Sequence, residues 1–250
     1  MSLTDSQLER YARHIVLREI GGEGQRKLLN AHVAVIGAGA IGSPVIQYLA
    51  AAGVGRLTIV DDDVVSLSNL QRQTLFRTAD EGAYKVDCAR AVVEALNPDV
   101  GLRVIHARFG VDAEVKIVAD ADVVVDGTDN FATRLLVADT CQHMRVPLVS
   151  ASVAQFEGQL AVYRGWEPDR PCYRCLVGDD PDRAEQSCSE LGVLGAMAGV
   201  MGSLAAMEAI RVITGFGEDS AGKLLRVDAL TLRFRTVALP KDPGCRSCAV

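Results

Sequence analysis

Short apolar runs alternate with longer amphipathic stretches through the first 155 residues of the chain. The apolar runs predict buried strands at 32–36, 56–60, 102–107, 122–126 and 147–151. The amphipathic stretches predict helices at 4–18, 23–30, 43–52, 82–96, 112–119 and 130–144. Because strands and helices follow each other in turn, the pattern predicts an α/β fold with a doubly wound, mostly parallel sheet, Rossmann-like in architecture.

Beyond residue 155 the apolar runs recur without intervening helices. Strands are predicted at 159–163, 224–227 and 231–237, and we expect them to add antiparallel edges to the same sheet. Residues 165–191 contain Pro, Gly, Asp and Cys without periodicity, which predicts a long loop. One helix with a small-residue face is predicted over 192–213.

Composition removes several classes of function. The formal net charge of −6 and the lack of any stretch rich in Lys and Arg argue against nucleic acid as the principal partner. The N-terminal residues are polar and contain no apolar signal core. The apolar run Val193–Met207 stops at Glu208 and is too short to span a bilayer comfortably. We therefore expect a cytoplasmic protein without a membrane partner.

A glycine-rich turn joins the first predicted strand to the following helix. Gly37, Gly39 and Gly42 form the pattern G-x-G-x-x-G, in which the glycines permit a tight turn and the helix N-terminus attracts phosphate. Asp61 closes the next strand, at a position from which an acidic side chain accepts hydrogen bonds from ribose hydroxyls. These residues predict a nucleotide site. Close packing or a solvated loop would also account for them, and a nicotinamide dinucleotide fits as well as ATP.

The segment after the second strand favours a triphosphate. Four polar or cationic side chains follow that strand, namely Asn69, Arg72, Gln73 and Lys85. Together they could clamp a triphosphate and the pyrophosphate that leaves it. A dinucleotide needs no extra cations, because its pyrophosphate can lie on the helix N-terminus alone. Each of the four taken singly is more typical of a solvated surface, but the group favours ATP.

Several strings of the chain resemble the signature of a known family, the MoeB/ThiF family of ubiquitin-activating-enzyme-like adenylyltransferases. The strings that carry the resemblance are, in order, Val60–Val65, Asn69–Gln73, Asp126–Asn130 and Pro171–Cys175. The similarity covers essentially the whole chain, and its nearest branch in appearance is the molybdopterin-synthase adenylyltransferases. One departure is Ala40, where many members carry Gly, so that a methyl group narrows the approach to the glycine turn.

The resemblance implies an enzyme that uses ATP to adenylate the C-terminal carboxylate of a small sulfur-carrier protein. It implies that Asp61 binds ribose and that Arg13 reaches the phosphates from the neighbouring subunit of a homodimer. It also implies that Asp129 holds Mg²⁺, although by position alone Asp129 fits a helix N-cap as readily. The implied catalytic residues are Arg13, Arg72, Lys85, Asp129 and Cys188. The implied ATP contacts are Gly37, Gly39, Ala40, Gly42, Asp61, Ser68, Asn69, Leu70, Gln71, Arg72, Lys85, Asp129 and Asn130.

The same resemblance implies partners and a division of the chain. The substrate would be a ubiquitin-like β-grasp carrier with a Gly-Gly tail, docked on 151–164 and the edge strands. A separate sulfur donor is expected, because no rhodanese-like domain follows residue 248. We expect a single adenylyltransferase domain over 1–250, with N-terminal helices (1–30), a nucleotide-binding half (31–155) and a carrier-docking and zinc-binding half (156–250).

Four of the seven cysteines form two C-x-x-C pairs, Cys172 with Cys175 and Cys245 with Cys248. Two such pairs can surround one tetrahedral Zn²⁺, and because protein ligands fill all four positions the predicted zinc is structural. A redox-active pair is the alternative, although nothing thioredoxin-like surrounds either motif. Cys188 lies in the polar loop before the late helix, where a reactive thiol and a bystander fit the sequence equally well.

Three alternative functions stay open at this point. A carrier adenylyltransferase of thiamine synthesis would use Cys188 for sulfur chemistry. A nicotinamide-dependent oxidoreductase would leave Arg13, Arg72 and Lys85 without a role. A non-catalytic, zinc-stabilised binding module would retain nucleotide only for folding. Pyrophosphate exchange into ATP that depends on an added carrier distinguishes an adenylating enzyme from the last two.

Overall fold

The chain folds into one eight-stranded sheet with helices on both faces, and the computed structural model describes residues 3–110, 114–178 and 192–249. The helices are α1 (Asp5–Arg10), α2 (Ala12–Ile15), α3 (Gly21–Asn30), α4 (Gly42–Ala52), α5 (Lys85–Leu96), α6 (Glu114–Ala119), α7 (Phe131–Met144), α8 (Tyr173–Val177) and α9 (Gly195–Thr214). The strands are β1 (His32–Ile36), β2 (Arg56–Asp61), β3 (Gly101–His106), β4 (Val123–Asp126), β5 (Leu148–Ala154), β6 (Glu157–Tyr163), β7 (Lys223–Asp228) and β8 (Arg233–Ala238).

The strand order across the sheet is β3-β2-β1-β4-β5-β6-β7-β8. Strands β1 to β5 are parallel, and β6, β7 and β8 each pair antiparallel with the strand before them. The predicted doubly wound sheet with antiparallel C-terminal edges is therefore confirmed. The strand order reverses at β1, which lies between β2 and β4. The carboxyl ends of strands at such a switch point form the crevice in which α/β folds bind ligands.

Alternate residues of the central strands enter two hydrophobic cores, one on each face of the sheet. All five residues of β1 are buried. Val33 and Val35 pack with residues of α4, α5 and α9, whereas Ala34 and Ile36 pack with residues of α6 and α7. A strand that is covered on both faces has to be apolar on both, which is why this segment is a nearly continuous apolar run.

Two predicted elements differ from the structure near the ends of the chain. The predicted helix over 4–18 is two short helices, because the chain turns at Tyr11, whose buried hydroxyl accepts a hydrogen bond from Asn97 Nδ2 at 2.9 Å. The predicted loop over 165–191 contains the single helical turn α8, which carries the buried Tyr173. A helix this short presents too few residues for helical periodicity to be visible in the sequence.

The late helix begins later and runs further than predicted. Val193 and Leu194 are extended against the β5–β6 turn, where Leu194 N–H donates to the Gln155 carbonyl at 3.0 Å, and α9 begins at Gly195. It ends at Thr214, one residue beyond the predicted end, and within it the buried Glu208 carboxylate accepts a hydrogen bond from Arg211 Nε at 3.1 Å. By length and composition α9 could cross a membrane. Its packing on α4, β5 and β6 is that of a core helix.

Candidate active site

A cavity of about 330 Å³ opens at the carboxyl ends of β1, β2 and β4. Its volume falls in the range of small-molecule binding sites, and its position is the switch point of the sheet. The predicted site residues that line it are Gly37, Gly39, Ala40, Asp61, Asn69, Arg72, Lys85, Asp129 and Asn130. The fold therefore brings most of the predicted nucleotide-binding residues to one place from distant parts of the sequence.

The glycine loop between β1 and α4 approaches neighbouring backbone more closely than side chains would permit. Gly37 has a φ of +89°, which favours glycine. A Cβ on Gly42 would lie 1.9 Å from the Gly37 carbonyl oxygen, so Gly42 serves the packing of the loop and does not itself line the cavity. The backbone N–H groups of Gly39 and Ala40 have no acceptor among the described residues. They are free to bind phosphate at the start of α4.

Asp61 ends β2 and holds the glycine loop in place. Its Oδ2 accepts the Ala38 N–H at 2.7 Å, and its Oδ1 accepts the Asp63 N–H at 2.9 Å. Burial raises the pKa of Asp61, and the Lys85 ammonium 4.0 Å away opposes that rise. A carboxylate oxygen can accept a second hydrogen bond. The ribose contact predicted for Asp61 is therefore compatible with its bonds to the loop.

Lys85 begins α5 and brings a buried cation to the cavity. Its side chain is 3% exposed, and Nζ donates to Asp63 Oδ2 at 2.7 Å. A buried ammonium needs a counter-charge, which the more exposed Asp63 and the buried Asp61 supply. Because an ammonium has three donors, Lys85 can keep one of these partners while it binds a phosphate oxygen.

Arg72 is oriented by the 3-10 helix at Leu67–Asn69, which precedes it in the chain. Its Nη1 donates to the Ser68 carbonyl at 3.0 Å and its Nη2 to Asn69 Oδ1 at 3.1 Å. A guanidinium has five donors, so others remain for a phosphate. Ser68, Leu70 and Gln71 lie outside the cavity lining, and their predicted contacts with ATP stay predictions.

Asp129 and Asn130 follow β4 at the edge of the cavity. The N-cap of α7 is Asn130, whose Oδ1 accepts the Thr133 N–H at 2.9 Å. Asp129 is therefore not the helix cap, and its side chain is exposed where it lines the cavity. Carboxylate oxygens are the ligands that Mg²⁺ prefers. Asp129 therefore fits the metal-binding alternative, whereas Asn130 caps the helix.

Two predicted catalytic residues are not found among the described residues that line the cavity. Arg13 is exposed on α2, a helix that contacts α1 and α3, and it does not line the cavity. Cys188 lies outside the described residues. Both catalytic roles stay predictions, and that of Arg13 requires a second copy of the chain.

Sequence reasoning missed part of the cavity lining. Arg108 and Phe109 line it just after β3, and the signal available for them was their place beyond the carboxyl end of a parallel strand. Arg134 also lines it and donates from both Nε and Nη2 to the Thr128 carbonyl, at 3.0 and 2.8 Å. Its only signal was a position one helical turn after Asn130.

Asp126, at the end of β4, stabilises the turn at Thr128 that leads toward α7. Its Oδ1 accepts the Thr128 N–H at 3.0 Å and the Thr128 hydroxyl at 2.7 Å. Burial raises the pKa of Asp126, and the nearby charge of Arg134 opposes the rise. The buried carboxylate and the guanidinium thus fix the backbone that leads into Asp129.

The four predicted zinc ligands form one cluster, separate from the cavity. Their Sγ–Sγ distances are 3.8 Å between Cys172 and Cys175, 3.5 Å between Cys172 and Cys245, and 3.4 Å between Cys175 and Cys248. A tetrahedral zinc with Zn–S bonds of about 2.3 Å has sulfur atoms roughly 3.8 Å apart. All four thiols are free of disulfides. The donor set and its spacing therefore fit a zinc ion.

A profile of the ThiF family matches residues 11–247. The chain belongs to the ThiF family. Among relatives of this ThiF-family chain, the SAMP-activating enzyme E1 of Haloferax volcanii is 45% identical over 249 residues, 99% of the chain and 91% of that protein. The molybdopterin-synthase adenylyltransferase of Salmonella typhimurium is 42% identical over 246 residues, 98% of each. The sulfur carrier protein adenylyltransferase of Thermus thermophilus is 43% identical over 254 residues, 99% of the chain and 93% of that protein.

Solved structures share the fold of this ThiF-family chain. Escherichia coli MccB with MccA-N7isoASN has a TM-score of 0.85 at 22% identity, over 99% of the chain and 76% of that protein. The same enzyme with ATP has a TM-score of 0.82 at 24% identity, over 96% and 74%. At these identities the similarity concerns the fold alone. The family assignment itself decides against the nicotinamide-dependent oxidoreductase.

Proposed function

We propose that the chain is an ATP-dependent adenylyltransferase that activates the C-terminal carboxylate of a ubiquitin-like sulfur-carrier protein. A carboxylate oxygen of the carrier's last residue attacks the α-phosphorus of ATP, and the bond from that phosphorus to the oxygen bridging to the β-phosphate breaks. The products are a carrier acyl-adenylate and pyrophosphate. No general base is needed, because a carboxylate is already ionised at neutral pH.

The observation that carries the proposal is the convergence of two held cations on a cavity that also contains free backbone donors. Arg72 is fixed by Ser68 and Asn69, and Lys85 by Asp63, so neither has to be ordered when a nucleotide binds. Fixed positive groups stabilise the charge that builds up on departing pyrophosphate. Both cations would serve a group transfer at a triphosphate. Adenylyl transfer is the activity that the names of two relatives give.

Two metals belong to the proposal in different roles. Asp129 would hold Mg²⁺, which would neutralise phosphate oxygens when bound. Arg72 and Lys85 would bind oxygens of the same triphosphate. The cluster of Cys172, Cys175, Cys245 and Cys248 would hold Zn²⁺ for stability. Because four protein sulfurs leave no open coordination position, we assign this zinc no part in the reaction.

The carrier would dock on an apolar surface beside the cavity. We define the hairpin-tip surface by four exposed apolar side chains: Phe156, Leu230, Leu232 and Phe234. The two hairpin tips are adjacent, since Ala229 N–H donates to the Phe156 carbonyl at 2.9 Å. Val153, on the strand that leads into the first tip, lines the cavity. A β-grasp protein on this surface could extend a Gly-Gly tail toward the α-phosphate.

Further parts of the proposal follow the relatives and the family resemblance. The named relatives support a sulfur carrier of the molybdopterin, SAMP or a related system as the substrate. We propose a cytoplasmic homodimer in which Arg13 of one copy completes the cavity of the other, and a separate protein as sulfur donor. The chain would act as one domain, with its nucleotide-binding half over 31–155.

Pyrophosphate exchange tests the proposed function. The purified chain is incubated with ATP, Mg²⁺, labelled pyrophosphate and a candidate Gly-Gly carrier, and we expect label to enter ATP only when the carrier is present. A carrier that lacks its last glycine is the matched negative control. Asp129→Asn should lower the exchange rate by about 100-fold or more, because a fixed charge at the phosphates is lost.

The outcomes separate the proposal from its rivals. Exchange that an added small carboxylic acid supports in place of the carrier would point to a small-molecule carboxylate as substrate. ATP binding without exchange for any Gly-Gly carrier would favour the non-catalytic binding module. Full exchange by Asp129→Asn would contradict the role given to that carboxylate while leaving the reaction itself intact.

A further inference from the structure

Two arginines face each other directly across the last pair of strands. Arg226 on β7 is the register partner of Arg235 on β8, so both side chains project from the same face of the sheet. Both residues are exposed. Like charges directly opposite one another on neighbouring strands destabilise the pairing of those strands. The pair therefore calls for an explanation other than the stability of the sheet.

The acidic groups nearby do not neutralise both arginines. Arg226 Nη2 lies 3.5 Å from Glu157 Oε2, an ion pair between two exposed side chains. In the part of the chain that the structure describes, no carboxylate forms an ion pair with Arg235. Asp228, on the same face, uses its carboxylate in the following turn, where it accepts the Thr231 hydroxyl at 2.6 Å and two backbone N–H groups. Arg235 is therefore the member of the pair whose charge a partner protein could neutralise.

The arginine pair adjoins the hairpin-tip surface. Phe234, one of the four apolar side chains of that surface, precedes Arg235 on β8. The β5–β6 and β7–β8 turns lie at the edge of the sheet where the parallel strands end, which is also the edge of the cavity. Protein interfaces commonly surround an apolar centre with a polar rim, and arginine is enriched in them. The pair occupies the position of such a rim.

Arginines on an outermost strand have a second explanation. Such a strand presents unpaired backbone groups, and charged side chains on it prevent two chains from associating edge to edge. Strand β3 forms the opposite edge of the sheet and carries one arginine, the exposed Arg103, whose register partner is Thr58. Protection of an edge accounts for Arg103. It does not account for a second arginine placed opposite Arg235 on the inner neighbour β7.

We propose that Arg226 and Arg235 bind acidic side chains of the carrier protein, an inference that rests on the proposed function. The hairpin-tip surface holds the carrier, and the arginine pair selects carriers that have carboxylates beside their apolar contact face. A carboxylate between the two guanidinium groups removes their mutual repulsion, so the pair is stabilised only in the complex. The chain has a net charge of −6 and would repel an acidic carrier at a surface without such a positive patch.

The KM for the carrier in pyrophosphate exchange tests the inference. We expect Arg235→Glu to raise this KM about 5- to 20-fold, because an anion then faces the carboxylates of the carrier. The dissociation constant for ATP should not change, since Arg235 lies outside the cavity lining. We expect Arg235→Gln to melt at or above the wild-type temperature, because the like-charge pair is removed. It should also make the KM for the carrier less sensitive to salt between about 50 and 500 mM.

The matched control is Arg103→Glu, which makes the same charge change on the opposite edge strand and should leave the KM for the carrier at the wild-type value. A carrier variant with lysine in place of the contacting acidic residue should recover affinity for Arg235→Glu. An unchanged KM in Arg235→Glu, or an equal rise in Arg103→Glu, would overturn the inference while wild-type exchange still supports the proposed function. A wild type that exchanges pyrophosphate with no carrier would contradict the proposed function and the inference together.

Discussion

His32 is a titratable residue whose charged form is disfavoured by its burial. It begins β1, its Nδ1 lies 2.7 Å from the Asp120 carbonyl, and its Nε2 lies 2.8 Å from Thr58 Oγ1. Nδ1–H donates to the carbonyl, so Nε2 accepts from the hydroxyl. Burial lowers the pKa of His32, and the adjacent Arg56 adds to that effect.

The lowered pKa predicts a loss of stability in mild acid. The folded chain keeps His32 neutral while the unfolded chain takes up a proton near pH 6.5, so the unfolded state binds more protons as the pH falls. This contribution to the free energy of unfolding is complete above the unfolded pKa and decreases below it. One proton limits the slope to about 1.4 kcal/mol per pH unit. Urea unfolding of the wild type and His32→Gln between pH 8 and 5 measures it, and equal slopes for both proteins would refute it.

Residue identity alone predicted many of the residues that line the cavity, but not which contacts each of them makes. Asp129 and Asn130 are adjacent and both are good helix caps, so only the structure shows that Asn130 accepts the Thr133 N–H. The strand-end position of Asp61 predicts that it lines the cavity, but not that it accepts a hydrogen bond from the Ala38 N–H. Such bonds depend on the path of the backbone between elements, which residue patterns do not specify.

The glycine loop between β1 and α4 contains two glycines whose replacement by alanine should have different effects. A Cβ on Gly42 would lie 1.9 Å from the Gly37 carbonyl oxygen, whereas a Cβ on Gly39 would meet only Gln73 Nε2 at 3.7 Å. We expect Gly42→Ala to destabilise the protein by about 1–3 kcal/mol or more through overpacking. We expect Gly39→Ala to leave the melting temperature unchanged and to weaken ATP binding.

Thermal melts and ATP calorimetry on the two alanine variants check this pair, because each variant is the other's control. The added methyl of Gly39→Ala projects toward the gap that a phosphate would enter, so its cost appears only when nucleotide binds. Stability losses of the same size in both variants would show that the loop is required for packing alone.

The central elements were predictable because strong physical constraints act on them. Strand β1 and strand β4 are covered on both faces, so their segments are apolar runs that helical or loop patterns do not imitate. Helix α8 was not predictable, since five residues held by the cysteine cluster and by buried Tyr173 take their conformation from tertiary contacts. The start of α9 escaped prediction for the same reason, because backbone bonds to Gln155 hold residues 192–194 against the β5–β6 turn and outside the helix.

The cysteine cluster holds the C-terminal segment, with Cys245 and Cys248, against Cys172 and Cys175 at α8. Burial raises the pKa of Cys248 to about 11, so a thiolate there needs the positive charge of a metal. We expect the purified protein to contain zinc, and we expect chelation or Cys245→Ser to lower the melting temperature by more than about 10 °C. Cys88→Ser, outside the cluster, should retain the metal. Elemental analysis and thermal melts give the answer, and a metal-free protein of unchanged stability would contradict it.

The proposed homodimer, in which Arg13 of one copy completes the cavity of the other, predicts that two inactive variants restore each other's activity when mixed. Arg13→Ala and Asp129→Asn should each lack exchange activity, because each would remove one contribution to every cavity. After random subunit mixing, half of the dimers contain both variants and each of these has one intact cavity, so about a quarter of the wild-type sites should return. Exchange measured before and after mixing under reversible dissociation tests this. No recovery despite verified mixed dimers would mean that Arg13 does not cross between subunits.

The order of strands across the sheet has a consequence for how such a protein can change over evolutionary time. The residues proposed to bind nucleotide lie around β1, β2 and β4, whereas the outermost strands β7 and β8 join that region of the sheet through β6 and β5. If the carrier docks as proposed, substitutions at Leu230 or Phe234 would change which carrier is recognised without disturbing the residues that line the cavity. Related proteins could therefore evolve to bind new carriers through substitutions on the hairpin-tip surface while the residues of the cavity stay the same.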